Sequence, residues 1–105
     1  PPWLAPVQVV GIPVADSFAD YLAGVIKQMK AQGIRAELDD SDDRMQKKVR
    51  NAQVEKIPFM MIAGEEDQKN NAVSFRYRDG AQKNGISIDD AISEIMDSIK
   101  ERKQV

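Results

Sequence analysis

Residues 7–38 read VQVVGIPVADSFADYLAGVIKQMKAQGIRAEL, and this stretch decides the fold. Residues 7–12 are rich in β-branched side chains, which is typical of a buried strand. A helix is predicted next, because apolar side chains recur at helical spacing at Phe18, Leu22, Val25, Ile26 and Met29. Gly33 is expected to end this helix in the left-handed conformation, and residues 34–38 alternate like a second strand. A strand, a helix and a strand in this order predict a right-handed βαβ unit with parallel strands.

The rest of the chain predicts a mixed sheet with helices on its faces. The expected elements are an acidic loop at 39–43, a helix at 44–56, a buried strand at 57–64, a turn at 65–71, an antiparallel strand at 72–78, a loop at 79–85, a short edge strand near Ile86, and a final amphipathic helix. Ser87 and Asp90 form a capping-box-like start for that last helix. The order βαβαββ(β)α places the chain in the α/β class.

Composition excludes several classes of function. The 105 residues amount to one domain with a net charge of −2, so the chain as a whole is not a general polyanion binder. It contains no cysteine and no histidine, which argues against thiol enzymes, most hydrolases and most metalloenzymes. No apolar run is long enough for a membrane span and no signal peptide opens the chain, so we expect no membrane partner and a cytoplasmic location. Residues 1–6 are expected to be the end of a linker, and residues 7–105 the domain.

The predicted strand at residues 72–78 has two chemically different faces. Val73, Phe75 and Tyr77 alternate with Ser74, Arg76 and Arg78. One face is therefore apolar, and the other presents two guanidinium groups. The arginines either bind an anionic or polar ligand, or pair with nearby acids on an exposed sheet edge.

Other motifs are less informative. The acidic loop at 39–43 lacks the glycine and glutamate that a calcium-binding loop needs, and no glycine pattern matches a phosphate-binding loop. The helix at 44–56 is basic on most of its surface, at Arg44, Lys47, Lys48 and Arg50. That surface is either a solvated helix face or a contact for nucleic-acid phosphates.

Several motifs occur in an order that resembles a known family. PPWLAPVQVV, GIRAELDD, KKVRNAQVEKIPFMMIAG and VSFRYRDG are similar to the C-terminal anticodon-binding domain of class II aminoacyl-tRNA synthetases, with the threonine-specific branch the most similar. The resemblance spans essentially the whole chain. It implies a three-layer α/β/α fold with a mixed, mostly parallel sheet of about five strands, and binding to the anticodon loop of threonine tRNA. It also implies that ATP, zinc and a homodimer interface belong to a catalytic part outside this chain, with no cofactor or catalytic residue in a monomeric isolated domain.

The resemblance assigns RNA-binding roles position by position. A base-reading asparagine of the family falls on Asp42, an arginine before the third strand falls on Lys56, and a glutamate after that strand falls on Asp67. The paired arginines of the fourth strand match Arg76 and Arg78. Asp42 lacks the amide donor of asparagine, and Lys56 lacks the guanidinium fork.

Arg50, Lys47 and Lys48 are further candidates for contacts with the RNA backbone. Two alternatives stay open for the function. One is the same domain of a prolyl-, histidyl- or glycyl-specific relative, and the other is a protein-interaction module on the same fold.

Overall fold

The computed structural model of the protein describes residues 6–41, 43–77 and 80–100. Its elements, in chain order, are β1 (Val9–Pro13), α1 (Ala19–Ala31), β2 (Ala36–Leu38), α2 (Met45–Val54), β3 (Phe59–Ala63), α3 (Glu65–Lys69), β4 (Ala72–Tyr77), β5 (Gln82–Ser87) and α4 (Ile88–Lys100). A 3-10 turn, Asp16–Phe18, precedes α1. Apart from Pro6, the expected linker end lies outside the described residues.

The strands form one mixed sheet in the order β2-β1-β3-β4-β5. The strand β1 is parallel to both β2 and β3, with Val9 opposite Ala36 on one side and Phe59 on the other. The pairs β3–β4 and β4–β5 are antiparallel, so β4 runs opposite to the other four strands. The predicted βαβ unit and the mixed five-stranded sheet are confirmed.

Side chains alternate between two buried layers because each strand points successive residues to opposite faces of the sheet. On one face, α1 and α4 cover a large cluster that includes Val9, Leu22, Phe59, Phe75 and Ile95. On the other face, α2 covers a smaller cluster of Val10, Ile12, Val49, Ala52, Ile57, Met60 and Ile62. Helices therefore lie on both faces of the sheet, as the three-layer prediction requires.

The helix boundaries predicted from Gly33 and Ser87 are confirmed, whereas the sequence-based expectation that Asp16 or Ser17 caps the first helix was wrong, because both lie in the 3-10 turn and the N-cap of α1 is Phe18. Gly33 follows α1 with φ +85°, a left-handed conformation that glycine adopts without a steric penalty. At the start of α4, the backbone N–H of Asp90 donates to Oγ of Ser87 at 3.2 Å.

Two local predictions were wrong. Residues 65–71 do not form only a turn, because Glu65–Lys69 form the short helix α3. The last strand is also longer than expected, since β5 begins at Gln82 rather than near Ile86. The first four of its six residues are exposed and are either polar or glycine. Apolar alternation, the usual sign of a strand, is therefore missing there.

Candidate nucleic-acid interface

One face of β4 and β5 is not covered by α2. Among the described residues, the cluster beneath α2 draws its strand residues from β1 and β3 and none from β4 or β5. Ser74 and Arg76 lie on this side of β4, because they pair with Ile62 and Met60 of that cluster. On β5, Gln82 pairs with Arg76 and is exposed. We call the surface of Ser74, Arg76 and Gln82 the open face.

Arg76 is half-buried on the open face, and its Nε atom is buried. No described residue accepts a hydrogen bond from this Nε. A buried donor without an acceptor costs free energy, and such groups are rare in folded proteins. The alternative that Arg76 is neutralised by nearby acids is not supported within the described residues, where the ion pairs involve Lys47 and Lys83 instead. Arg78 lies outside the described residues.

The opposite face of β4 holds Arg76 in position. Phe75 is fully buried, and its ring centroid lies 5.4 Å from that of Phe59 on β3. Tyr77 contacts both rings, at 5.9 Å from Phe59 and 6.2 Å from Phe75. Aromatic packing of this kind adds to area burial, so the predicted apolar face of the strand is confirmed and forms a rigid support for the arginine.

Asp67 lies beside the same strand, in α3. Its Oδ2 accepts the backbone N–H of Gly64 at 3.1 Å, and its Oδ1 lies 3.4 Å from Oγ of Ser74. A carboxylate has about four acceptor positions, so two remain for a ligand. The structure thus brings Asp67 and Arg76 to the same side of β4, the side on which Ser74 lies.

A tyrosine of α1 holds the segment between β3 and β4, which contains Asp67, in place. The hydroxyl of Tyr21 donates to the backbone carbonyl of Ala72 at 2.7 Å and lies 3.4 Å from that of Asp67. Burial is the main cause that raises the pKa of Tyr21, and the charge of Asp67 adds to it. Tyr21 therefore stays a neutral hydrogen-bond donor at neutral pH.

Lys56 lies at the end of α2, in a left-handed conformation with φ +58°. Its N–H donates to the carbonyl of Gln53 at 3.1 Å, and the N–H of Ile57 donates to that of Ala52 at 3.0 Å. These two bonds form a Schellman motif, in which glycine is the usual residue at the position of Lys56. Lys56 precedes the start of β3, whose residue Met60 pairs with Arg76. It therefore lies toward the end of the sheet opposite to Asp67.

The basic helix face differs from the prediction at Lys48. Lys47 and Arg50 are exposed, and Lys47 forms an ion pair of 3.3 Å with Asp43. Lys48, by contrast, is only 4% exposed, and its Nζ donates to the backbone carbonyl of Asp39 at 3.1 Å. The prediction that Lys48 belongs to an exposed basic surface was wrong, because its ammonium connects α2 to the loop that follows β2.

The loop at residues 39–43 lies at the other edge of the sheet. It follows β2, and β1 and β3 separate β2 from β4. Asp42, the candidate base-reading residue of this loop, lies outside the described residues. Among the described site candidates, Asp67 and Arg76 share the open face, Lys56 lies toward the opposite end of the strands, and the loop after β2 lies at the other edge of the sheet.

Sequence reasoning missed one part of this surface. A groove beside the open face is lined by Glu66, Asp67, Asn70, Ser74, Asn84 and Ser87. Gly85 was a signal for it, since an isolated glycine in a strand often marks a β-bulge.

Two classes of feature are absent from the described part of the chain. No group of three or more histidine, cysteine, aspartate or glutamate residues there could hold a metal ion. No helix there is long and apolar enough to span a bilayer.

Known proteins are similar to this chain over most or all of its length. A family model described as "Anticodon binding domain" matches residues 8–98. The chain is 62% identical over 105 residues to a threonine–tRNA ligase of Nocardioides sp. (strain ATCC BAA-499 / JS614), and 60% identical over 105 residues to that of Thermobifida fusca (strain YX). Each alignment covers 100% of this chain and 16% of the relative, so the chain spans about a sixth of the length of those proteins.

Solved structures show the same fold. The RNA-binding domain of threonyl-tRNA synthetase from Cryptosporidium parvum Iowa II superimposes with a TM-score of 0.86 at 24% identity, covering 91% of this chain and 24% of that one. Prolyl-tRNA synthetase from Cryptosporidium parvum, complexed with halofuginone and AMPPNP, gives a TM-score of 0.83 at 24% identity, covering 98% and 22%. Since the family model matches most of the residues, the chain belongs to the anticodon-binding domain family.

Proposed function

We propose that this chain is the domain of a threonine–tRNA ligase that binds the anticodon loop of threonine tRNA. The observation that carries the proposal is the half-buried Arg76 on the open face, for which the described residues supply neither an ion pair nor an acceptor at Nε. A guanidinium without a neutralising partner gains charge-assisted hydrogen bonds when a ligand supplies the acceptor. High identity to threonine–tRNA ligases supports the choice of tRNA.

The open face suits unpaired nucleotides. Proteins read RNA loops by hydrogen bonds to the edges of unstacked bases, and by cations at the phosphates. Asp67 has free acceptor positions for the amino or imino groups of a base, whereas Arg76 can meet a base carbonyl or a phosphate. Lys56 extends the same surface with a second cation at the far end of the sheet. Asp42 and Arg78 are proposed as further contacts on the basis of the family resemblance.

The exposed residues of α2 have a weaker role in the proposal. Lys47 and Arg50 are available to phosphates of the loop or stem, where cations add affinity without reading sequence. Lys48 is proposed to act indirectly, because its ammonium is already bonded to the Asp39 carbonyl.

The activity of a whole ligase is part of the same proposal. A longer parent protein would attach threonine to its tRNA with ATP, and ATP, zinc and a homodimer interface would belong to that remainder. The 105-residue chain would act as a monomeric, cytoplasmic recognition domain with no catalytic residue of its own.

The test is a binding titration of the chain with three RNAs at two salt concentrations. Threonine tRNA should bind more tightly than the same tRNA with a swapped anticodon, and more tightly than proline tRNA. Raising the salt should weaken all three, because phosphate contacts release counterions. Equal affinity for the three RNAs would contradict anticodon recognition, and a preference for proline tRNA would favour the prolyl-specific relative.

A further inference from the structure

The pairing register of β4 and β5 shifts at one point. Val73 pairs with Ile86, whereas Phe75 pairs with Lys83, so the single residue Ser74 faces both Asn84 and Gly85. This two-against-one arrangement is a β-bulge, and Gly85 adopts φ +66° within it. Bulges re-aim side chains, and this one carries Asn84 to the border of the open face.

The groove next to the bulge has a distinctive chemistry. Its volume is about 590 Å³, and no lysine or arginine of the described residues lines it. Glu66 and Asp67 provide carboxylates on one side, and Asn84 provides an amide on the other. A phosphate would be repelled by the two carboxylates, whereas the edge of a neutral base offers the N–H donors that they accept.

We propose that Asn84 is a base-contacting residue that reads one nucleotide of the anticodon loop together with Asp67. This inference rests on the proposed function and adds a specificity-determining residue to it. The amide of Asn84 offers a donor and an acceptor in one plane, which suits two parallel hydrogen bonds to a base edge. Because Asn84 is exposed and Ser74 lies between it and Asp67, the base would enter the groove from the solvent side.

The test measures binding of the 105-residue chain to RNA hairpins that carry the anticodon stem and loop of threonine tRNA. One hairpin has the natural loop, and the others each have one loop nucleotide replaced. The proteins are the wild type, Asn84→Ala, Asn84→Asp, Arg76→Ala and, as a matched control, Gln28→Ala, an exposed amide on α1. Thermal unfolding of each variant verifies that it folds; Asn84 is exposed, so its variants should unfold like the wild type.

Asn84→Ala should bind the natural hairpin about 5- to 150-fold more weakly, the usual size of a lost base contact. At one loop position, it should also lose the wild type's preference for the natural nucleotide. Asn84→Asp should lose the same preference, because it removes the amide donor, while Gln28→Ala should bind like the wild type.

Two results would overturn the inference and leave the proposed function standing. One is wild-type binding of every hairpin by Asn84→Ala while Arg76→Ala binds weakly. The other is an equal loss by Asn84→Ala on all hairpins, which would describe a contact that does not read sequence. If the wild type itself does not distinguish the natural loop from the replaced ones, the proposed function fails and the inference fails with it.

Discussion

The ammonium of Lys48 lies 3.1 Å from the backbone carbonyl oxygen of Asp39 and is almost completely shielded from solvent. This bond ties the middle of α2 to the loop that follows β2. The same loop is braced internally, since the hydroxyl of Ser41 donates to Oδ1 of Asp39 at 2.7 Å. A cation that looks like part of an RNA-binding helix face therefore holds a loop in place.

Lys48→Met should lower the free energy of unfolding by about 1–3 kcal/mol, because the Asp39 carbonyl loses its donor while the apolar stem is kept. Urea denaturation measures the change. Lys47→Met is the matched control, and should change the free energy of unfolding by less than about 0.5 kcal/mol because Lys47 is exposed. Equal effects of the two substitutions would show that water replaces the ammonium of Lys48.

The position of Lys48 in the helix predicts burial, although lysine is a residue type that is usually exposed. Lys48 lies three residues after Met45 and four before Ala52, so it belongs to the same helical stripe as those apolar residues. Lysine is almost never fully buried without a partner, so the residue type alone favours an exposed position. The partner is the backbone carbonyl of Asp39, nine residues earlier in the loop before α2, which a sequence pattern does not identify.

Periodicity predicted the elements that bury much apolar surface and missed those that do not. The alternation of Val73, Phe75 and Tyr77 correctly assigned the faces of β4, and with them the side on which Arg76 lies. The helix α3 has no buried residue, so no apolar stripe marks it. The groove at Asn84 depends on the pairing register of β5, which apolar alternation specifies only weakly because the start of this strand is polar and exposed.

Arg76→Ala should weaken binding of threonine tRNA by about 1–3 kcal/mol, the cost of losing one specific base contact. Binding of the tRNA with a swapped anticodon should change much less. Filter binding at fixed salt measures both. Equal losses for the two tRNAs would reduce Arg76 to a nonspecific phosphate contact.

Arg76→Met tests whether Arg76 contributes to the stability of the fold as well as to RNA binding. The substitution removes a buried donor for which no described residue supplies an acceptor, so the free energy of unfolding should stay the same or rise by up to about 1 kcal/mol. Urea denaturation of the free protein provides the measurement. A loss of several kcal/mol would mean that the guanidinium supports the fold.

Substitutions of Lys56, at the end of α2, also distinguish an effect on stability from an effect on RNA binding. Lys56→Gly should be more stable to urea than Lys56→Ala by about 1 kcal/mol, because glycine adopts φ +58° without the clash of a Cβ. If the ammonium contacts RNA, both variants should lose the same affinity for threonine tRNA. Different affinities of the two variants would indicate that backbone strain, rather than charge, affects binding.

Two glycines should respond to alanine in opposite ways. Gly24 lies within α1 and Gly85 lies in the bulge at φ +66°, and an added Cβ would meet no atom within 4 Å at either position. Gly24→Ala should raise the free energy of unfolding by about 0.5–1 kcal/mol through helix propensity. Gly85→Ala should lower it by about 1 kcal/mol, since only the backbone conformation is strained. Thermal unfolding of the pair measures both, and a stabilising Gly85→Ala would contradict the left-handed bulge.

Tyr21 gives a prediction that depends on pH. Its pKa is raised in the folded protein by burial and by Asp67, above the value of about 10 expected in the unfolded chain. As pH rises past about 10, the unfolded state loses the phenolic proton first, so the free energy of unfolding falls until the folded pKa is passed. Below about pH 10, the full contribution of Tyr21 to the free energy of unfolding is present.

Tyr21→Phe removes this titration together with the bond of 2.7 Å to the Ala72 carbonyl. The variant should be less stable than the wild type by about 1–3 kcal/mol near pH 8. The gap should narrow as the pH rises through about 10, because only the wild type carries the phenol. Urea denaturation of both proteins across this range tests the point, and since lysines titrate in both, their effect cancels in the comparison. A gap that stays constant would show that the Tyr21 hydroxyl titrates alike in the folded and unfolded chains.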